Sequence, residues 1–261
     1  MLFNLTLTLV KQKFINFRQN YPICKLEERN MHIMEGFLPH PWWEIWFAVA
    51  IPIVAYGVYR LSKISKNFPE AKPLLALMGA FIFVISALKL PSVTGSSSHP
   101  TGSGLAAIIF GPGIASVLSL IVLVFQALLL AHGGLTTLGA NTLSMGIIGP
   151  AIAYGIWIAG RKARLPNSAG VFIGVALSDL ATYVTTSVQL ALAFPTAAGV
   201  FDSFLKFAAI YALTQVPLAI GEGILAVFLF DFLAKYKSQL LSVLKVIKLP
   251  IAENPERVET K

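Results

Sequence analysis

The sequence contains a single cysteine, Cys24, and this scarcity excludes both an internal disulfide and a metal site built from several thiolates. Charged residues are also few. They make up 12% of the 261 residues, whereas 56% of the residues are hydrophobic. This composition is wrong for a water-soluble globule and is typical of a protein that crosses a membrane several times.

Motifs of several enzyme classes are missing as well. The chain has no GxxxxGK[ST] phosphate-binding loop, so it does not hydrolyse ATP itself, and it has no HExxH motif of a zinc protease. The net charge of +8 does not come from a basic stripe interleaved with aromatic residues, so no nucleic-acid partner is expected. The basic residues lie instead in short loops between apolar stretches, which is the pattern of membrane topology. We therefore expect a non-enzymatic protein whose surroundings are a lipid bilayer.

Five apolar stretches are long enough to cross a bilayer. They cover residues 44–61, 73–90, 141–160, 170–194 and 206–233. A further block, residues 105–131, is long for one crossing and short for two. Because Phe110-Gly111-Pro112-Gly113 interrupts this block near its first third, it is expected to form two helices.

Positive loops set the number of crossings. The loops that contain Arg60 and Arg161, together with the C-terminal tail, should face the cytoplasm. The two loops share a side only if residues 105–131 cross twice or re-enter. Two crossings give seven spans with the N-terminus outside and the C-terminus in the cytoplasm, whereas six spans, the alternative, would place His132 inside. The expected fold is an all-α, polytopic membrane helix bundle with metal-binding loops on its outer face.

The pair Met31-His32 opens the string MHIMEGFLPHPWW. If translation starts at Met31, the pair supplies the free α-amine, the His32 amide and the His32 imidazole, and these three nitrogens can close fused chelate rings around one metal ion. Nitrogen donors suit late first-row divalent metals, and a planar array favours Ni(II), Cu(II) or a forced Co(II). A fourth nitrogen would complete the square, and His99, in SVTGSSSHPTG, is the candidate.

Five separated blocks resemble those of a known family. They are MHIMEGFLP, LKLPSVTGSSSHPTGSG, LLLAHGGLTTLGANTLSMG, SDLATYVTTSVQLALAFP and LKFAAIYALTQVPLAIGEG, between Met31 and about Phe232. The chain resembles the CbiM family, the substrate-capture membrane subunits of cobalt energy-coupling-factor importers. The resemblance implies capture of Co(II) as the transported substrate, for uptake that supports cobalamin biosynthesis, without an organic cofactor. The related nickel subunits share the first and third blocks, so a nickel-specific subunit is the alternative. A metal-sensing membrane receptor is the alternative of a different class.

The resemblance also implies partners. ATP would be hydrolysed by two cytoplasmic ATPase subunits, and a transmembrane coupling subunit and a small auxiliary membrane subunit would complete the importer. Ala76 and Ala80 form a small-xxx-small pair; a similar pair faces the coupling subunit in this class of transporter, and generic helix packing is the alternative. The expected location is the cytoplasmic membrane of a bacterium or an archaeon.

The metal ligands that the resemblance implies are Met31, His32 and His99. Relatives commonly carry SCSHPTG where this chain has Ser97, so no thiolate is required. Ligating histidines usually donate their second ring nitrogen to a neighbouring acceptor. The residues expected to support the ligands are Glu35, Ser97, Thr101, His132 and Asn141. His132 fits a buried interface histidine equally well, and Asp179 and Glu222, which lie in predicted spans, are either functional groups or interhelical hydrogen-bond partners.

The chain divides into three segments. Residues 1–30 are interpreted as a non-native extension from a mis-set start, with a cleaved or flexible segment as the alternative, because no small-x-small cleavage site precedes Met31. Glu27-Glu28-Arg29 can be encoded by the purine-rich GAG-GAG-AGG, which resembles a ribosome-binding sequence. Residues 31–234 are the expected transmembrane metal-capture domain. Residues 235–261 are expected to form a basic amphipathic segment on the inner surface and a polar cytoplasmic tail.

Overall fold

The computed structural model of the protein describes residues 33–88, 90–91 and 97–247. Within these residues the chain forms helices α1 (Trp42–Asn67), α2 (Lys72–Ala87), α3 (Ser103–Phe110), α4 (Pro112–Leu129), α5 (Leu138–Asn141), α6 (Gly149–Lys162), α7 (Asn167–Ala193), α8 (Val200–Tyr236) and α9 (Ser238–Val243). A 3-10 turn (Pro69–Ala71) joins α1 to α2, and a π-helix (Thr142–Ile148) joins α5 to α6. The two-residue strands β1 (Leu90–Pro91) and β2 (Ser97–Ser98) pair antiparallel. The expectations for residues 1–30, for Met31, for His32 and for the polar tail over residues 251–261 lie outside the described residues.

Six helices in the described part of the chain are long and apolar enough to span a membrane. They are Trp42–Asn67, Pro69–Ala87, Pro112–Leu129, Leu138–Lys162, Asn167–Ala193 and Val200–Tyr236. The predicted all-α membrane bundle is therefore confirmed. The expected seventh span corresponds to α3, which has only eight residues and a length of about 12 Å.

The break between α3 and α4 lies at Gly111. This residue has a φ of +86°, which glycine adopts without strain, and Pro112 follows at the first position of α4, where a missing N–H is harmless. All eight residues of α3 are buried, and the helix packs against α4, α6 and α7. Because α3 and α4 form a hairpin, Arg60 and Arg161 line one cavity at the same end of the bundle. The re-entrant form of the predicted block therefore brings the two basic loops together.

The core lies between α2, α3, α4, α6, α7 and α8. Its largest fully buried apolar side chains include Met78, Ile82, Leu105, Ile108 and Phe230. By contrast, α1 buries only Ala50 and Gly57 fully and leaves apolar side chains such as Ile51 exposed. An apolar helix with an exposed apolar surface is suited to lipid, where association depends on close packing rather than on removal of surface from water.

The C-terminal segment folds back beneath the bundle. The sequence predicts an amphipathic helix over residues 238–249, but α9 ends at Val243 and Lys245 has a φ of +61°. The guanidinium of Arg161 donates a 2.8 Å hydrogen bond to the Lys245 carbonyl, and Leu241 and Val246 are buried. This turn therefore packs against the end of α6 instead of continuing along the surface.

Candidate functional site

Two histidines from separate loops meet inside the bundle. The ring centroids of His99 and His132 are 4.9 Å apart, their planes are inclined by 71°, and both residues are fully buried. His99 directly follows β2. His132 lies just beyond α4, where its backbone N–H donates a 3.1 Å hydrogen bond to the Gln126 carbonyl. Imidazole pairs are common ligands of transition metals.

The tautomer of His99 follows from its hydrogen bond. Nδ1 lies 2.8 Å from the carbonyl oxygen of Pro100. Because a carbonyl only accepts, Nδ1 carries the proton, and in the neutral imidazole Nε2 then carries the lone pair. A neutral imidazole with one nitrogen fixed by a backbone carbonyl is the usual state of a histidine that ligates a metal through the other nitrogen.

The segment that follows Met31-His32 is held by Asn141. The Ile33 N–H donates to Asn141 Oδ1 at 2.9 Å, and Asn141 Nδ2 donates to the Ile33 carbonyl at 3.0 Å. The Thr137 hydroxyl donates to the same carbonyl at 2.6 Å. All three residues are buried, so the peptide unit next to His32 is fixed in a dry environment.

Glu35 extends this contact to the surface. The Thr136 N–H donates to Glu35 Oε2 at 3.1 Å, and the Gly36 N–H donates to the Thr136 hydroxyl at 2.9 Å. The Thr136 side chain and, less strongly, the backbone N–H groups of Thr136 and Leu135 hold the pKa of the Glu35 carboxyl below its ordinary value, so the group is negatively charged at neutral pH. Gly134 lies against the Glu35 backbone, and a Cβ there would overlap it. Residues 33–36 therefore dock tightly on the loop after His132.

A buried carboxylate anchors the loop after His99. Glu222 accepts the N–H groups of Thr101 and Gly102, the latter at 2.8 Å, and the Thr101 hydroxyl at 3.1 Å. These groups immediately precede α3, so the Glu222 carboxyl oxygens also lie at the positive end of that helix. Gly102 has a φ of +72°, a value that favours glycine.

Three further side chains hold the same loop to α7 and α8. Gln215 Nε2 lies 3.5 Å from the His99 carbonyl and 3.4 Å from the Asp179 carboxylate oxygens. The Ser98 and Thr214 hydroxyls are 2.7 Å apart. The sequence singles out Asp179 and Glu222 as functional groups or interhelical hydrogen-bond partners. Here Glu222 bonds the His99 loop directly, and Asp179 reaches it through Gln215. The contributions of Thr136 and Thr214 were not predicted, although Thr136 lies within the recognised block that contains His132.

Several of the predicted site residues come together. His99, Thr101 and His132 share one buried region, and Asn141 and Glu35 hold the segment beginning at Ile33 to the loop after His132. The backbone of Ser97 pairs with that of Pro91. In the described part of the chain no three His, Cys, Asp or Glu side chains form a metal-binding group. A metal at the histidine pair therefore needs donors of another kind or from outside the described residues.

Ala76 and Ala80 lie far along α2, away from the histidines. Both are exposed, and they line a groove of about 620 Å³ together with Leu75, Gly79 and Phe83. Most of the residues that line the groove are apolar. No described helix covers Ala76 or Ala80, so both alanines stay exposed. The predicted helix-packing role therefore has no partner within the described residues.

The family model for CbiM, described as a cobalt uptake substrate-specific transmembrane region, matches residues 32–240 of the chain. The chain belongs to the CbiM family. The match includes His99, His132, Asn141 and Glu222. Membership confirms two expectations: the chain is a transport component rather than an enzyme, and it is a multi-pass membrane protein.

Curated relatives and solved structures agree with this assignment to CbiM. The putative cobalt transport protein CbiM 2 of Methanosarcina barkeri is 58% identical over 226 residues, which cover 85% of this chain and 96% of the relative. The cobalt transport protein CbiM of Carboxydothermus hydrogenoformans is 58% identical over 207 residues, covering 79% and 84%. A crystal structure of a truncated transition metal transporter aligns with a TM-score of 0.67 and 26% identity, covering 78% of this chain and 99% of that one.

Proposed function

We propose that this protein captures Co(II) on the outer face of the cytoplasmic membrane, as the substrate-specific subunit of an ATP-driven importer of the energy-coupling-factor type. The observation that carries the proposal is the contact between His99 and His132 beside the loop that holds Ile33. The buried His99 offers an imidazole nitrogen, a donor that suits late first-row metals, and Ile33, the residue after His32 in the chain, is anchored beside the loop that follows His132. The names of the curated relatives favour cobalt as the ion.

The proposed ligands are the Met31 amine, the His32 amide nitrogen, the His32 imidazole and His99 Nε2. The amine donor requires Met31 to be the first residue of the mature chain, with residues 1–30 absent. Two contacts support this set. Asn141 and Thr137 fix the peptide immediately after His32, and the Pro100 carbonyl fixes the His99 tautomer. Ligands held in advance lose less conformational freedom on binding.

His132 is proposed to position His99 rather than to supply a fifth nitrogen. Its ring meets that of His99 nearly edge to face, which limits rotation of the His99 imidazole. Glu35 is proposed to lend negative charge near the entrance, because its carboxylate is ionised and exposed. Ser97 and Thr101 are proposed to support the loop that carries His99.

The transport step is assigned to partner chains. The sequence lacks a phosphate-binding loop, so two cytoplasmic ATPase subunits are proposed to supply the energy, with a small auxiliary membrane subunit assisting metal loading. The exposed groove with Ala76 and Ala80 supports contact with a transmembrane coupling subunit, since small residues let another helix approach closely. The imported cobalt would serve cobalamin biosynthesis.

Nickel is the second candidate substrate, because nitrogen donors bind Ni(II) more tightly than Co(II). The two ions are separated by measuring both binding and uptake. Cells that express the chain with its ATPase and coupling partners should accumulate cobalt in preference to nickel at equal external concentrations. Accumulation of nickel but not cobalt would replace cobalt by nickel as the substrate.

The ligand assignment is tested with His99→Ala in the purified full-length protein. Loss of a metal ligand should weaken Co(II) binding, measured by calorimetry, by at least about a hundredfold and abolish uptake. His40→Ala is the matched control, because His40 is exposed and pairs with Glu44 at 2.8 Å, outside this cluster. Wild-type Co(II) affinity in His99→Ala would refute the assignment.

A further inference from the structure

A second cavity lies at the end of the bundle opposite the His99 loop. Its volume is about 460 Å³. It is enclosed by the end of α1, the turn between α3 and α4, the end of α6 and the segment after α9. Its polar side chains are Tyr56, Arg60, Tyr154, Arg161 and Lys245. No feature of the cobalt-capture proposal uses this cavity.

The cavity carries three positive charges without a negative counterpart. Among the residues the structure describes, no Asp or Glu lines it, and Arg60, Arg161 and Lys245 form no ion pair. Arg60 donates to the Tyr56 hydroxyl at 2.9 Å, and Arg161 donates to the Lys245 carbonyl at 2.8 Å. Each guanidinium has five N–H donors, so donors remain for a ligand. Cations gathered around one cavity repel each other, and a bound anion offsets that repulsion.

The backbone adds to the positive potential. The first turn of α4 borders the cavity, because Gly111, Pro112 and Gly113 all line it. The N–H groups of a first helical turn lack partners inside the helix and attract anions, phosphate above all. The helix has 18 residues, long enough for a developed dipole.

The rim of the cavity is apolar and faces outward. Tyr56 and Ile158 line the cavity and are exposed, and the exposed apolar residues Ile53 and Val49, at helical spacing from Tyr56, continue along α1 into the spanning region. A ligand that fits both parts has a phosphate head and hydrocarbon tails. An inorganic anion would leave the apolar strip unused.

We propose that this cavity binds the headgroup of an anionic phospholipid, with its acyl chains along the exposed face of α1. The positive-inside rule places this end of the bundle at the cytoplasmic leaflet, where anionic lipids meet basic pockets between helices. The lipid phosphate contacts Arg60, Arg161 and the first turn of α4. The segment after α9 closes the cavity with Lys245, whose backbone carbonyl accepts a hydrogen bond from Arg161.

The test uses the purified full-length protein in detergent and native mass spectrometry with phosphatidylglycerol and phosphatidylcholine. Phosphatidylglycerol should bind at least tenfold more tightly. Replacing the three cations, in Arg60→Gln/Arg161→Gln/Lys245→Gln, should weaken phosphatidylglycerol binding by roughly a hundredfold, at about fivefold for each charge. Each single Arg→Gln variant should bind phosphatidylglycerol about fivefold more weakly. These single variants keep the test decisive if the triple variant does not fold.

Lys63→Gln/Lys66→Gln/Lys162→Gln is the control, because these three lysines lie at the same end of the bundle but outside the cavity. It removes the same charge and should change phosphatidylglycerol affinity by less than about threefold. Equal binding of the two lipids, or an equal loss in both triple variants, would overturn the proposal. If millimolar inorganic phosphate protects the protein against thermal unfolding as well as phosphatidylglycerol does, the cavity is assigned to a free anion. Lipid binding that vanishes when the coupling and ATPase subunits are added would assign it to a protein partner.

Discussion

The side-chain amide of Asn141 pairs with both backbone polar groups of Ile33, accepting its N–H at 2.9 Å and donating to its carbonyl at 3.0 Å. This is the pattern of two bonded strands, with an amide side chain in place of one backbone. It joins the segment after Met31-His32 to the helix that follows His132. Removing a group that orients metal ligands typically weakens metal binding by about 10-fold to 100-fold. Asn141→Ala should therefore weaken Co(II) binding by about that factor in calorimetry, while Asn67→Ala, an exposed control at the end of α1, should not. Equal Co(II) affinities in Asn141→Ala and Asn67→Ala would show that the contact with Ile33 does not contribute to metal binding.

The hydrogen bond between Thr136 and Glu35 makes docking of this segment dependent on pH. Because the folded-state pKa of Glu35 lies below its ordinary value of 4.5, the carboxylate stabilises the docked segment above that pH. The stabilisation is lost as pH falls through the lowered pKa. We expect the protection of the Thr136 amide against hydrogen exchange, measured as the intrinsic rate divided by the observed rate at each pH, to fall in the wild type as pH drops below 4.5. In Glu35→Gln this protection should already be low at neutral pH and should change little on acidification, and Glu70→Gln should behave as the wild type. A wild-type profile in Glu35→Gln would contradict this account.

Glu222 should determine how firmly the His99 loop is held. Glu222→Ala leaves the buried N–H groups of Thr101 and Gly102 without their acceptor, at a cost of roughly 1–3 kcal/mol for each unsatisfied group. Thermal unfolding in detergent should show this loss, and Co(II) affinity should fall with it. Asp231→Ala is the matched control on α8, because within the described residues its carboxylate accepts only an exposed hydroxyl bond from Ser168, at 3.2 Å. A smaller loss of stability in Glu222→Ala than in Asp231→Ala would rule out the anchoring role.

The amine donor predicts the first residue of the native protein. Intact-mass analysis of the metal-loaded product should give a chain that begins at Met31. Placing one alanine before Met31, in a chain shortened to start there, moves the amine out of the chelate and should weaken Co(II) binding more than His40→Ala does. A metal-loaded, active protein that begins at Met1 would eliminate the amine as a ligand.

The hairpin of α3 and α4 fixes the expected topology. In a Cys24→Ser background, cysteines at Leu135 and Ala163 should react with impermeant reagents from the outside and from the cytoplasm, respectively. Leu135 is chosen because it is exposed, whereas the neighbouring Thr137 is buried against Ile33. Labelling of Leu135 from the cytoplasm and of Ala163 from the outside would contradict the hairpin and the predicted orientation.

The sequence predicts the membrane bundle well because long apolar stretches have few alternatives to a spanning helix. The interruption at Gly111-Pro112 likewise marks a helix boundary that the structure places between Phe110 and Pro112. Depth is harder to predict. The Ser-rich loop around His99 has the composition of a solvated loop, yet His99 and Thr101 are fully buried. Their backbone groups are satisfied by Glu222 and Gln215 from distant parts of the chain, and such long-range partners leave no local pattern.

The length of α8 shows a second limit. The predicted span covers residues 206–233, but the helix runs from Val200 to Tyr236. Its first turn is polar and carries an ion pair between Asp202 and Lys206 at 2.8 Å, so hydropathy alone misses it. An ion pair at i and i+4 supports a helix in water as well as in lipid.

The short α3 has a kinetic consequence for whatever reaches His99. A helix of eight residues covers about 12 Å of a hydrocarbon layer about 30 Å thick, so the loop before it descends into the bundle and carries His99 to a dry position. An arriving ion must exchange its water molecules for protein donors before it can bind. Mg²⁺ gives up its hydration shell reluctantly, whereas late transition metals readily accept imidazole in place of water. If His99 ligates the ion as proposed, the burial of this one loop would disfavour Mg²⁺ at the dehydration step, ahead of any competition for the ligands themselves.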